Sequence, residues 1–514
     1  MNGAIGAAPD ATALHATATD AGGTVDVGVR RGVQDRRRRD QARRRNGWCL
    51  ATVVVVLAIY VATSLSGGRS LGSLDNPDGF QNLAASAFLN GQLAVAETPP
   101  GLLDEPDPYE PAYSGKYPVH DLALYDGKLY TVHGPTPVIL SNIPYRLVGL
   151  GYLNPNLATL AFAGAGFVAA AYLVRLLRRR FFPELATWAE CSLIVAVGLA
   201  TPVLWLLTIA RSYEAAIACG YCLLMVGLVC LLRAVEDPAR PRRLLLAAGG
   251  LSLAAAVGAR PQLVLAVVFV GFTAVVVLRT RVDGEPRSGR WLDVVALAAP
   301  YVVVGAALAW FNLVRFGSVA EFGTTYQLAG WNMRTYPQMQ VGYVWPNLKE
   351  YLFSGPRLEG SWPYVHLILG TFSGDVALHY NEPVAGVLKL FPIIPVGLVI
   401  GLASTRRMWL RAKSLCVLSG VTFVVAMLML ASVAVAFNGA TMRYSIDFAP
   451  LFIVLACVGW AWSYAPTGDR PAHPDRAVVT APRLLAAVWV LALTMSVVFS
   501  LLLVQTPCAG TGSC

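Results

Sequence analysis

The sequence predicts an all-α polytopic membrane protein, with about eleven transmembrane helices and two large extracytoplasmic loops that contain short amphipathic helices. Three observations predict it. Of 514 residues, 56% are hydrophobic and only 14% charged, with a mean hydropathy of +0.55, whereas a soluble globular chain carries roughly a quarter charged residues. The apolar residues gather in runs of about 20, the length a helix needs to cross the hydrocarbon core with its backbone polar groups satisfied internally. The formal charge of +10 is concentrated between those runs. Together these exclude an ordinary cytosolic enzyme and a disordered scaffold, and nine cysteines are too few for a disulfide framework.

The runs lie near 48–66, 154–175, 188–209, 213–232, 244–259, 262–278, 291–314, 384–404, 414–437, 447–465 and 484–505. The fifth and sixth are short, and almost nothing joins the third to the fourth, so either hairpin can be re-entrant or strongly tilted. Placing residues 1–46 in the cytoplasm puts 28 of the 40 Lys and Arg on the inner side. They include Arg36 to Arg39, Arg43 to Arg45, Arg178 to Arg180 and Arg406, Arg407, Arg411 and Lys413. Basic loops stay cytoplasmic, so an integral plasma-membrane protein with its N-terminus inside and its C-terminus outside is expected. The positive charge is then an orientation signal, and no nucleic-acid partner is implied.

The chain divides into a disordered, arginine-rich cytoplasmic tail (1–46), a transmembrane domain (47–465) and a C-terminal part (466–514). The last comprises an inner loop, the final helix and a short outer tail. The tail reads as topological, and the first apolar run as a signal anchor. Two long segments, 67–153 and 315–383, fall outside. The first is acidic, with nine Asp or Glu against four Lys or Arg. It contains an expected amphipathic helix at 80–91, capped by Asp78 or preceded by turn chemistry, and an Asp126–Gly127 turn between the β-prone pieces LALY and KLYTV. Long patterned loops on a rigid scaffold are where chemistry is usually carried.

Ionisable residues cluster on this outer side. Asp75 and Asp78 follow the first run; Arg211 and Glu214, Arg260, and Arg443 with Asp447 sit at the outer ends of separate hairpins. Such groups at membrane depth are costly and pair or serve a function. The spacings allow local neutralisation, Arg211 with Glu214 at i,i+3 and Arg443 with Asp447 at i,i+4; Arg260 has no local partner. Outer carboxylates beside arginines suit a substrate with a phosphate leaving group and a hydroxyl acceptor. The carboxylate takes the acceptor proton and guanidiniums hold the phosphate.

Four stretches carry a family resemblance. They are Asp75 to Asp78 followed by LAASAFLNGQL; HDLALYDGKLYTVHGPTPVILSNIPYRLVG (His120 to Gly149); NLVRFGSVAEFGTTYQLAG (Asn312 to Gly330) with NLKEYLF (Asn347 to Phe353); and MRYSIDFAPLF (Met442 to Phe452). In order and topology they resemble the GT-C superfamily of integral-membrane glycosyltransferases, nearest the branch of protein O-mannosyltransferases and the aminoarabinose transferase of lipid A. The resemblance implies an extracytoplasmic, inverting transferase. Its donor would be a polyprenyl-phosphate sugar, and its acceptor a cell-envelope glycan, glycolipid or protein. A first-loop acid would be the general base and an outer arginine the phosphate contact. The base is therefore expected at Asp78 or Asp75, although Asn76 stands where many members carry a second adjacent acid.

Arg260, Arg443 and Arg211 are the expected phosphate contacts, and His133, Lys128 and Tyr130 candidate donor contacts at the same mouth. Glu321, Tyr326 and Gln327 are candidates for sugar hydroxyls. Each has a structural alternative, such as a loop histidine for His133. Trp331, Trp345 and Trp362 read as interfacial belt residues. His366, Asp375 and His379 are too dispersed to read as a metal site, and no metal or other cofactor is expected. Cys219 and Cys222 read as packing residues, and Cys508 with Cys514 as a possible outer disulfide. The competing readings are a transporter or flippase of lipid-linked glycans and a non-catalytic assembly subunit.

Overall fold

The computed structural model describes residues 20–77, 79–209, 211–237, 241–280, 287–369, 382–436, 439–465 and 476–505. Two units are distinguished, residues 1–52 and 53–514. In the first, the described residues belong to helix α1 (Asp20–Leu65). Residues 20–46, expected to be disordered, are thus helical; nine of these residues are Arg, a good helix former.

Helices account for every expected apolar run. Among the described residues, eight stretches are long and apolar enough to cross a membrane: Arg39–Gly68, Pro155–Phe181, Ser212–Ala234, Pro261–Arg279, Gly289–Phe316, Ile393–Arg411, Lys413–Val435 and Pro482–Leu503. Three shorter apolar helices, Thr187–Leu199, Arg243–Val257 and Ala449–Tyr464, fill the remaining positions. The protein is an all-α polytopic membrane protein. In chain order the helices used below are α2 (Phe80–Leu89), α3 (Pro155–Phe181), α4 (Thr187–Leu199), α5 (Ser212–Ala234), α6 (Arg243–Val257), α7 (Val267–Arg279), α8 (Arg287–Phe316), α9 (Val344–Phe353), α10 (Ile393–Arg411), α11 (Lys413–Val435), α12 (Ala449–Tyr464) and α13 (Arg476–Leu503).

Small residues let these helices approach closely, as expected where lipid supplies no hydrophobic drive between them. A Cβ on Gly250 of α6 would lie 2.0 Å from the Leu297 carbonyl of α8, and one on Gly459 of α12 would lie 2.4 Å from the Gly397 carbonyl of α10. Three breaks interrupt the bundle on the side of the long loops. Residues 200–211 follow α4, a 3₁₀ stretch Pro261–Ala266 precedes α7, and a 3₁₀ stretch Met442–Asp447 precedes α12.

The first long loop folds as expected around its turn. Strands β1 (Leu122–Tyr125) and β2 (Lys128–Thr131) pair antiparallel, with Tyr125 opposite Lys128. Asp126 and Gly127 both have positive φ, as a tight hairpin turn requires. Arg315, at the end of α8, pins the hairpin: its Nη1 donates to the Thr131 carbonyl at 2.8 Å and its guanidinium lies 3.7 Å from the Phe311 ring centroid. The second long loop joins the first through an isolated bridge between Ala123 and Gln327. It carries α9, which buries Asn347, Glu350 and Tyr351 and leaves Trp345 exposed.

Helix α2 lies where the sequence placed it. Its N-cap is Gly79, with φ +85, and the expected capping residue Asp78 lies outside the described residues. The Phe80 amide donates to Ser212 Oγ at 3.0 Å. A Cβ on Gly79 would lie 2.6 Å from that same oxygen, so glycine here permits the close approach of α2 to α5.

Candidate active site

The breaks and the first long loop bring distant side chains into one connected cluster. Arg260, in the extended residue before Pro261–Ala266, donates from Nη2 to Asp447 Oδ2 at 2.7 Å, and its Nε lies 3.4 Å from Oδ1. This pair is 187 residues apart in sequence. Arg443 donates from Nη2 to Glu382 Oε1 at 2.7 Å, and its Nη1 lies 3.7 Å from Glu214 Oε1. Both guanidiniums lie over the Tyr444 ring, at 4.7 and 5.5 Å from its centroid. The two local pairings allowed by spacing are therefore corrected. Asp447 serves Arg260 rather than Arg443, and Glu214 has Arg443 within ion-pair distance while Arg211 lines a cavity with both. The breaks turn each segment so that its charged groups look across the bundle instead of along their own chain.

Arg211 lines a small cavity of ≈ 260 Å³ with Glu214, Glu382, Thr441 and Arg443. Among the described residues it makes no hydrogen bond or ion pair, which leaves its fork of donors open to an anion. Glu214 is fully buried, and neither of its carboxylate oxygens has a hydrogen-bond partner among the described residues. Buried polar groups are normally satisfied, so this corner of the cluster is incomplete as it stands.

The loop side of the cluster begins at Tyr213, whose ring centroid lies 5.1 Å from the Arg443 guanidinium. The Asp121 carboxylate lies close enough to act on its hydroxyl. Asp121 accepts from Gln327 Nε2 at 2.7 Å, while its own amide donates to the Leu328 carbonyl at 2.7 Å. With φ of 65°, Asp121 adopts a left-handed backbone that a non-glycine residue reaches only at a cost of about 1–3 kcal/mol. Its side chain is 20% exposed, so an incoming hydroxyl can reach it.

His133 completes the group. Its ring stacks on Phe80 at 5.3 Å and meets Tyr213 edge-on at 4.6 Å. Neither ring nitrogen has a hydrogen-bond partner among the described residues. Burial pushes its pKa down to about 4; Asp121 opposes this, and Arg260 and Arg443 add to it. A neutral imidazole with an open nitrogen is thus aimed into the cluster. The loop that carries it rests on the turn before Arg260: the Thr136 amide donates to the Gly258 carbonyl at 3.2 Å, and a Cβ on Gly134 would lie 2.0 Å from that carbonyl oxygen.

The other expected site residues are placed as follows. Asp75 is exposed, in a segment tied by a bridge between Leu74 and Tyr152. Asp78 lies outside the described residues, as do Asp375, His379, Cys508 and Cys514. Lys128 is exposed at the hairpin, whereas Tyr130 is buried, its ring 5.5 Å from Phe316. Glu321 organises its own turn, accepting from the Gly323 amide and from Thr325 Oγ1 at 2.6 Å each. Tyr326 packs on Tyr125 at 4.7 Å. Of that group only Gln327 touches the cluster, through Asp121. His366 lies 3.6 Å from Glu359, and Cys219 and Cys222 are buried in α5. The sequence reading missed Asp121 and Glu382. The first was hidden in what reads as a strand start, and the second lies in a loop with no local pattern.

No family model matches the chain, and no curated protein sequence matches it. The solved structures similar in chain path include the following three. The aminoarabinose transferase ArnT from Cupriavidus metallidurans bound to undecaprenyl phosphate is 14% identical with a TM-score of 0.42, over 89% of this chain and 77% of that one. ArnT in the apo state is 15% identical with a TM-score of 0.39, over 89% and 76%. The Archaeoglobus fulgidus oligosaccharyltransferase in the apo form is 13% identical with a TM-score of 0.39, over 88% of this chain but only 56% of its own length. Likeness of this degree defines neither a family nor an activity.

Proposed function

We propose that the protein is a membrane glycosyltransferase that moves a sugar from a polyprenyl-phosphate donor to a cell-envelope acceptor, on the extracytoplasmic face that carries the two long loops. One observation carries the reading. Arg260 and Arg443 pair with Asp447, Glu382 and Glu214, and Arg211 lines the same cavity as Arg443, with Asp121 beside Tyr213, yet among the described residues Arg211, the His133 nitrogens and the Glu214 oxygens have no hydrogen-bond partner. A cluster built only for stability would close those bonds.

In this reading Arg211, with Arg443, holds the donor phosphate in the ≈ 260 Å³ cavity. A carboxylate takes the proton of the acceptor hydroxyl, whose oxygen bonds to the anomeric carbon. The bond from that carbon to the phosphate oxygen breaks, and the charge left on the phosphate rests on the guanidiniums. Attack opposite the leaving group inverts the anomeric centre. Asp121, held by Gln327 and partly exposed, is the favoured base; Asp78 and Asp75 are the rival. No metal or other cofactor enters the scheme.

The test is transfer from labelled polyprenyl-phosphate sugars by the purified protein in lipid nanodiscs. Asp121→Asn should lower transfer about 10²- to 10⁴-fold with donor binding kept, and Arg211→Gln should raise the donor KM at least tenfold. Full activity in Asp121→Asn with loss in the Asp75→Asn, Asp78→Asn double variant would move the base from Asp121 to Asp75 or Asp78. Movement of the lipid across liposomes without sugar transfer would replace the transferase reading with the flippase.

A further inference from the structure

A second cavity lies at the opposite end of the bundle, between α3, α5, α7, α11 and α12. It is a half-open recess of ≈ 700 Å³, the space at its mouth included, lined by residues that include Leu177, Leu231, Val235, Phe272, Leu418 and Val454. Of the three hydroxyls in the wall, Ser419, Thr273 and Thr422, the two threonines are bonded within their own helices. Thr273 Oγ1 donates to the Phe269 carbonyl and Thr422 Oγ1 to the Leu418 carbonyl, both at 2.8 Å. A chamber walled this way offers water few partners and suits hydrocarbon.

Its rim is basic. Arg180, exposed, donates from Nη1 to the carbonyl of the lining residue Val235 at 3.0 Å, and no other hydrogen bond of Arg180 is formed among the described residues. Arg233, next to lining residue Leu232, shares its charge with Glu236 at 3.1 Å. Lys413, exposed two residues before lining residue Leu415, lies 4.9 Å from the Trp409 ring centroid. These cations come from the ends of α3, α5 and α11, so helix ends distant in sequence bring positive charge to one apolar mouth. Basic pockets between transmembrane helices favour anionic headgroups.

We propose that this cavity holds an acyl chain of an anionic diacyl phospholipid of the arginine-rich leaflet, with Arg180 and Lys413 at its headgroup phosphate. The site is separate from the cluster around Arg443 and stands whether or not the chain transfers sugars. Its occupant belongs to the bilayer and leaves again without chemistry.

The experiment uses the full chain, delipidated in detergent and titrated with phosphatidylglycerol or phosphatidylcholine of identical chains, with bound lipid counted by native mass spectrometry. The protein should retain phosphatidylglycerol at least fivefold over phosphatidylcholine. Exchanging both exposed cations (Arg180→Gln with Lys413→Gln) should remove that preference and leave chain binding intact. Ser419→Trp, which fills the cavity, should abolish retention of both lipids. Equal retention of the two lipids by the unaltered protein overturns the proposal, as does a preference that survives the double exchange. Displacement of phosphatidylglycerol by one equivalent of a polyprenyl phosphate also overturns it, assigning the cavity to a donor tail.

Discussion

Two buried carboxylates, Glu190 and Glu214, sit on the same bundle and face arginines, but in opposite ways. Glu190, at the start of α4, accepts from Arg175 Nε at 2.9 Å and from Arg178 Nε at 3.0 Å, one arginine to each oxygen. Both partners lie within 15 residues, and Arg178 goes on to the Pro183 carbonyl. Glu214 has one arginine at 3.7 Å, no hydrogen bond among the described residues, and a second carboxylate, Glu382, on the same guanidinium. The first arrangement is saturated and local, as a structural clamp should be. The second is under-bonded and assembled from far-apart segments, the condition of a site that keeps capacity for a ligand.

The largest effect expected from this contrast is on stability. Glu190→Ala leaves two arginines facing an empty position and should cost about 3–5 kcal/mol, read by denaturant unfolding in detergent. A cost no larger than that of Glu214→Ala would erase the distinction.

Next comes pH. Because the folded pKa of His133 lies at about 4, below the usual 6.5, the unfolded chain binds the proton more readily. The stability from the neutral ring is full above pH 6.5 and is lost as pH falls towards 4. The loss should reach up to about 3 kcal/mol and be absent in His133→Phe; an identical pH profile in that variant would remove His133 from the unsatisfied group.

The smallest change in stability belongs to Glu214→Gln, within about 1 kcal/mol, since few bonds are lost. Transfer should nevertheless fall about tenfold as Arg443 shifts towards Glu382. A variant as unstable as Glu190→Ala would make Glu214 a clamp after all.

The apolar runs were legible because backbone satisfaction in lipid forces long uninterrupted stretches, and each expected run coincides with a helix. The hairpin was legible too, since Asp126–Gly127 is turn chemistry that acts locally. The partners of the charges were not. Spacing rules assume a continuous helix, so they paired Arg443 with Asp447. The 3₁₀ stretch Met442–Asp447 breaks that assumption and sends Asp447 to Arg260. Asp121 was overlooked for a related reason: its importance comes from a left-handed backbone and from contacts with Tyr213 and Gln327, which no neighbouring residue announces.

The three short helices have a consequence for how a substrate arrives. At about 1.5 Å per residue, the 13 residues of α4, 15 of α6 and 16 of α12 span about 20–24 Å, against a hydrocarbon thickness near 30 Å. The residues that make up the shortfall are the breaks bearing Arg211, Arg260 and Arg443. The charged cluster therefore stands where short helices stop and irregular backbone takes over. Under the proposed transfer, an acceptor anchored in the bilayer would reach those helix ends by sideways diffusion.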